Sequence, residues 1–153
     1  KGGNPVLVAG TDGTLMQTLS VDTTGAIKLG AGTNNIGNVG ISPATPHNLN
    51  SAATTNATSV KATAASLYSL MASNTGASIR YLKLYNKASA PTVGTDIPVL
   101  TLPIPAGSFI NPPLGAMGVR FATGLAYAIT GAAADADTTA VAAGEVKVKL
   151  DYV

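Results

Sequence analysis

The chain has 153 residues, enough for one ordinary domain or for a smaller domain with a long appendage. Hydrophobic residues make up 46% of it and charged residues only 10%, against about 25% charged in soluble domains. Such a surface suits a protein packed against neighbours better than a diffusing cytosolic enzyme. The net charge of +2 is too small for a nucleic-acid footprint, despite a pI near 9.0.

In chain order, the first strand expected is "PVLVA", followed by "GTDGT", where Asp12-Gly13 is a hairpin turn signal. "LMQTLSV", the turn "DTTG" and "AIKL" continue the same pattern of short strands joined by turn residues. Residues 30–41, "GAGTNNIGNVGI", hold Ile36, Val39 and Ile41 as isolated apolar side chains among glycines and asparagines. Such a segment cannot bury enough surface to offset about 1–2 kcal/mol of backbone entropy per residue. It therefore reads as an arm that needs a partner surface. Glycines let one backbone lie close against another. Val6, Leu7, Leu15, Leu19, Ile36, Val39 and Ile41 are its candidate interface anchors.

"SPATPHNLNSAATTNAT" (residues 42–58) reads as a Pro/Asn/Thr-rich connector without periodicity. The expected division is residues 1–56 for arm and connector and 57–153 for a folded domain. The five tyrosines and two phenylalanines all lie after residue 60. Aromatic side chains bury the most area, so the core belongs there.

From Ser59 onward the pattern is β: "SVKAT", "SLYSLMASN", "SIRYLKLYNK", "IPVLTLPIPAG", "GVRFAT", "LAYAITG" and "EVKVKLDYV". Pro98, Pro103 and Pro105 place the fourth of these at a sheet edge. In the last, Val146, Val148, Leu150 and Tyr152 alternate with Lys147, Lys149 and Asp151, a strand exposed on one side. Seven or eight short strands with close turns indicate an all-β, antiparallel β-sandwich, jelly-roll or Ig-like, with an N-terminal Gly-rich β arm. Its expected core is Tyr81, Leu82, Leu84, Leu100, Phe121, Tyr127, Ile129 and Val148. "DADTTAVAAGE" has room for one helical turn.

Chemistry is sparse. There is no cysteine, which excludes disulfides and thiolate metal sites. The most apolar run, residues 124–134, is too short to cross a membrane. Lys1 is not an initiator methionine, and the chain reads as the ordered or processed part of a longer protein. His47, the single histidine, reads as a surface-loop residue rather than part of a Ser-His-Asp arrangement. Asp135 and Asp137 form a D-x-D pair that oxygen-loving cations can use, but no EF-hand spacing follows, and a solvated loop is expected. Arg80, Lys83 and Lys87 near tyrosines read as a solvated or intersubunit face. Asn56-Ala57-Thr58 matches the N-glycosylation pattern. No acid–base constellation, cofactor loop or metal set stands out, so no enzyme, cofactor or metal is expected.

The runs "RYLKLYN", "APTVGTDIP", "GVRFATGLAYAIT" and "ADADTTAVAAGEV" together resemble a C-terminal β-sandwich domain of tailed-bacteriophage virion structural proteins. The resemblance covers most of residues 59–153. The segment "VDTTGAIKLGAGTNNIGNVGI" is similar, less specifically, to Gly/Asn-punctuated β segments that precede such domains. The resemblance implies a structural role without catalytic residues. The protein would be a homotrimeric capsid decoration (cement) protein, bound to the major capsid protein or another virion protein on the outer surface of the head. The alternative is a neck or tail fibre appendage carrying a host-receptor or carbohydrate-binding module. Its sugar-stacking candidates would be Tyr68, Tyr85 and Tyr152. No nucleic-acid or membrane partner is expected.

Overall fold

The computed structural model describes Ser20–Val21, Ile27–Lys28 and residues 44–153. The chain divides into two compact units, Lys1–Ile41 and Ser42–Val153. In the first, β1 (Ser20–Val21) pairs antiparallel with β2 (Ile27–Lys28), Val21 opposite Ile27. These are the strands expected on either side of "DTTG". The arm anchors Val6, Leu7, Leu15, Leu19, Ile36, Val39 and Ile41 lie outside the described residues.

The second unit is a sandwich of two antiparallel sheets. Its strands are β3 (Thr45–Asn50), β4 (Thr58–Lys61), β5 (Ala65–Asn74), β6 (Arg80–Asn86), β7 (Leu100–Ile104), β8 (Ser108–Ile110), β9 (Val119–Phe121), β10 (Leu125–Thr130) and β11 (Val146–Tyr152). One sheet has the order β4-β10-β6-β7. The other runs β3-β11-β5, with β8 and β9 end to end along the far edge of β5. Among the described residues there is no helix, and residues 135–145 form turns and irregular chain.

The core follows from alternation. Leu82 and Leu84 of β6, Tyr127 and Ile129 of β10, Leu67 and Leu70 of β5 and Val146, Val148 and Leu150 of β11 meet between the sheets. Phe121 of β9 joins them. Of the expected core, Leu100 is only partly buried at its border. Tyr81 is outside the cluster, because on β6 it alternates with Leu82 and faces away from the second sheet.

The stretch read as a connector contains β3, which is hydrogen-bonded along β11 from Thr45↔Tyr152 to Asn50↔Lys147. The sandwich therefore begins before residue 57, and the units divide at Ser42. Within that stretch Asn56 adopts φ +52°. Its side chain fixes the turn, accepting from Ala52 N and donating to the carbonyls of Ala52 and Thr54.

The proline-rich β7 is an edge strand, as its sequence suggests. Pro103 sits opposite Tyr81 there, where a missing N–H costs no ladder bond. β3, the edge of the other sheet, likewise carries a proline, Pro46 opposite Asp151.

The outward face of the four-stranded sheet is covered by the chain's own loops. Tyr85, Ala126 and Ala128 form a small second core there, with Ala57 and Val93 against it. Lys83 is fully buried on the same side, and its Nζ donates to Ala134 O at 2.6 Å. The loop of residues 87–99 meets the loop of residues 131–143 at Gly94. Its φ is +87°, and a Cβ would stand 2.7 Å from Thr138 Cγ2. Only glycine fits both the backbone angle and the approach.

Candidate functional site

The outward face of the five-stranded sheet has no such cover among the described residues. Because side chains alternate across a strand, the register lays them out in rows. Asn50, Lys147, Ser73 and Phe109 stand side by side across β3, β11, β5 and β8. The next row is Asn48, Lys149 and Met71, and the next Pro46, Asp151 and Ser69. The ladder slips between Asp151 and Tyr152, so Tyr68 is the extra residue of a bulge. Phe109 is 66% exposed, Met71 46% and Tyr68 42%. Large apolar side chains thus stand in solvent on this face among amides and lysines, which makes it the candidate surface.

The sequence foreshadowed this face only in part. Lys147 and Lys149 stood out through the alternation of β11, whereas Asn48 and Asn50 lay in the supposed connector. The usable signal was "PHNLN", in which Pro46, Asn48 and Asn50 alternate with His47 and Leu49. Of the three tyrosines considered for sugar stacking, only Tyr68 is exposed. Tyr85 is buried, and Tyr152 packs against the core with its hydroxyl 3.4 Å from Val60 O.

Several titratable groups are engaged within the sandwich. His47 lies on β3 rather than in a loop. Its Nε2 is 3.1 Å from the Tyr127 hydroxyl, with the rings edge-on at 5.5 Å, so it ties the edge of one sheet to the centre of the other. Burial holds its imidazole below the usual 6.5. Arg80, Lys83 and Lys87 do not form a solvated face. Arg80 Nε and Nη2 both donate to Glu145 Oε1 at 2.8 Å, Lys83 is buried on a carbonyl, and Lys87 pairs with Asp96. Glu145 also accepts from Ala142 N, through Oε2. Its carboxyl is held below the ordinary range by the Arg80 hydrogen bond first, against some burial cost, with Ala142 and the Arg80 charge adding.

Asp137 caps a turn by accepting from Ala132 N and Thr139 Oγ1. Burial opposes its ionisation, yet these bonds together hold its carboxyl low. Asp137 thus serves a turn, and no group of three or more His, Cys, Asp or Glu among the described residues is placed to hold a metal. Asn56 is buried with its amide nitrogen donating twice, so it is a turn residue and not an open acceptor for glycan. No helix among the described residues is long and apolar enough to cross a membrane.

The ionisable members of this face are Lys147, Lys149, Asp151 and, on β9, Arg120 opposite Ser66. Compared with known proteins, the chain matches no family model, no curated protein and no solved structure.

Proposed function

We propose that the chain is a non-enzymatic structural protein of a tailed-bacteriophage virion, a homotrimeric decoration protein on the outer surface of the head. The observation that carries this reading is the division of the chain. A sandwich with a complete core of its own, Ser42–Val153, follows a separate unit, Lys1–Ile41, which carries the Gly/Asn-rich run of residues 30–41. Attachment by the arm and display of the sandwich fit that division. The motifs resembling phage sandwich domains lie on β6, β9, β10, β11 and the loops that cover the four-stranded sheet. The partner in this reading is the major capsid protein or another virion protein, met by strand pairing and apolar contact.

Light scattering tests the oligomer, on the whole chain and on a chain beginning at Ser42, since beginning at Ala57 would delete β3. Trimers of both leave the arm free to grip a second protein. A trimer of the whole chain alone makes the arm the clasp between subunits. Monomers of both overturn the homotrimer. Antibody labelling of intact virions tests the place. Label on the head supports decoration, label confined to neck or tail selects the appendage, and no label overturns both.

A further inference from the structure

The bare face of the five-stranded sheet contains a groove of 240 Å³ between β3, β11 and β5. Leu49 and Val148 turn their side chains into the core, so they line the groove through their backbone. Asn48 stands on one side, Met71 and Ser73 on the other, and Lys147 and Lys149 rise from the middle strand. The two lysines are not equivalent. Lys149 is drawn along its strand by hydrogen bonds of 2.9 and 2.7 Å to the two oxygens of Asp151, so its charge is matched. Lys147 is exposed and has no acidic partner among the described residues. Phe109, opposite Ser73, continues the apolar surface past the end of the groove.

We propose that this groove binds a carboxylate-bearing sugar ring, the uronic acid unit of an acidic polysaccharide, wherever on the virion the chain sits. A pyranuronate offers three chemistries at once. Its C–H face suits the thioether of Met71, while the ring of Phe109 beyond the groove suits the next ring of the chain. Its hydroxyls suit the amide of Asn48, which both donates and accepts, and the hydroxyl of Ser73. Its single carboxylate suits the single unmatched ammonium of Lys147. The volume falls short of the about 300–1,000 Å³ of drug-sized sites, which suits one ring of a longer chain lying across an open face. A nucleic-acid strand fits poorly, because it needs several cations along its phosphates.

The test is titration of the full chain at low salt with tetragalacturonate, using maltotetraose as the neutral control, followed by calorimetry. The expected result is saturable binding of tetragalacturonate, with maltotetraose weaker by about tenfold or more. Lys147→Ala and Asn48→Ala should each weaken tetragalacturonate by about tenfold or more while leaving the melting temperature unchanged. Absence of saturation at millimolar ligand overturns the proposal, as does equal affinity for maltotetraose or equal affinity in the two variants. Equal binding of tetra-aspartate also overturns it, since charge alone would then suffice. None of these failures bears on the oligomer or on virion labelling.

Discussion

On the four-stranded sheet, Lys83 and Tyr85 point away from the sandwich core and are nevertheless buried. On the five-stranded sheet, Lys147 and Met71 point away from the same core and stand in solvent. The difference is made by loops that belong to neither strand. Residues 87–99 and 131–143 fold over the first face, meet at Gly94 and give Lys83 a carbonyl, while no described residue does the same for the second. Burial of an outward side chain is thus a property of the tertiary fold, and the face left bare is the one to search for function.

Substitutions in the core, at the cover and on the bare face test this contrast. Leu150→Ala removes a side chain from the core shared by both sheets, and should lower stability by about 2–5 kcal/mol in urea unfolding. Glu145→Gln weakens the bond to Arg80 at the end of the sandwich. It should cost about 2 kcal/mol, since hydrogen bonds to charged groups contribute that much.

The same residue links stability to pH. Its folded value is depressed, so its contribution is complete above the unfolded value of about 4.5 and is lost as pH falls through the folded one. Glu145→Gln should flatten that limb of a pH-dependent melting curve. His47 acts the same way higher up the scale. Its folded state disfavours the proton, so stability declines as pH drops below 6.5 and levels off beneath the lowered value. His47→Gln should remove that decline.

Gly94→Ala strikes the cover itself. Left-handed backbone and the approach of Thr138 should together cost about 1–2 kcal/mol. Amide exchange should quicken in residues 131–139 while β11 stays protected. Tyr85→Phe should go the other way. The Tyr85 hydroxyl is buried without a protein partner among the described residues, and burial, with Asp135 and Asp96, raises its pKa. Deleting it should stabilise by about 1 kcal/mol, read as a higher melting temperature. Lys147→Ala, on the bare face, should change stability by less than about 0.5 kcal/mol. A larger loss would show that the bare face is covered after all.

These contrasts also explain what could be read from the residues. β10 and β11 were legible because "LAYAIT" is continuously apolar and "EVKVKLDY" alternates, each pattern matching its burial. The edge position of β7 was legible in its prolines. β3 was hidden because Pro, His and Asn are poor strand formers, and its main-chain ladder to β11 has no signature in its own side chains. β8 was hidden by its brevity, three residues between turns. Tyr85 and Lys83 were misplaced because alternation reports which side of a sheet a residue takes, and loops distant in sequence decide what covers that side. The bare face was half legible for the same reason: β11 announced its lysines, but their neighbours on β3 and β5 come from register.

The placement of the two edge prolines has a consequence for crowding. Each sheet ends on one side in a proline-bearing strand, β3 with Pro46 and β7 with Pro103, and on the other in strands of four residues or fewer. An exposed sheet edge is a template on which a second copy can add its own strand. A proline leaves a gap in that template, and a very short strand offers too few bonds to hold an addition. Crowded copies of this sandwich are therefore poorly disposed to zip edge to edge into fibres.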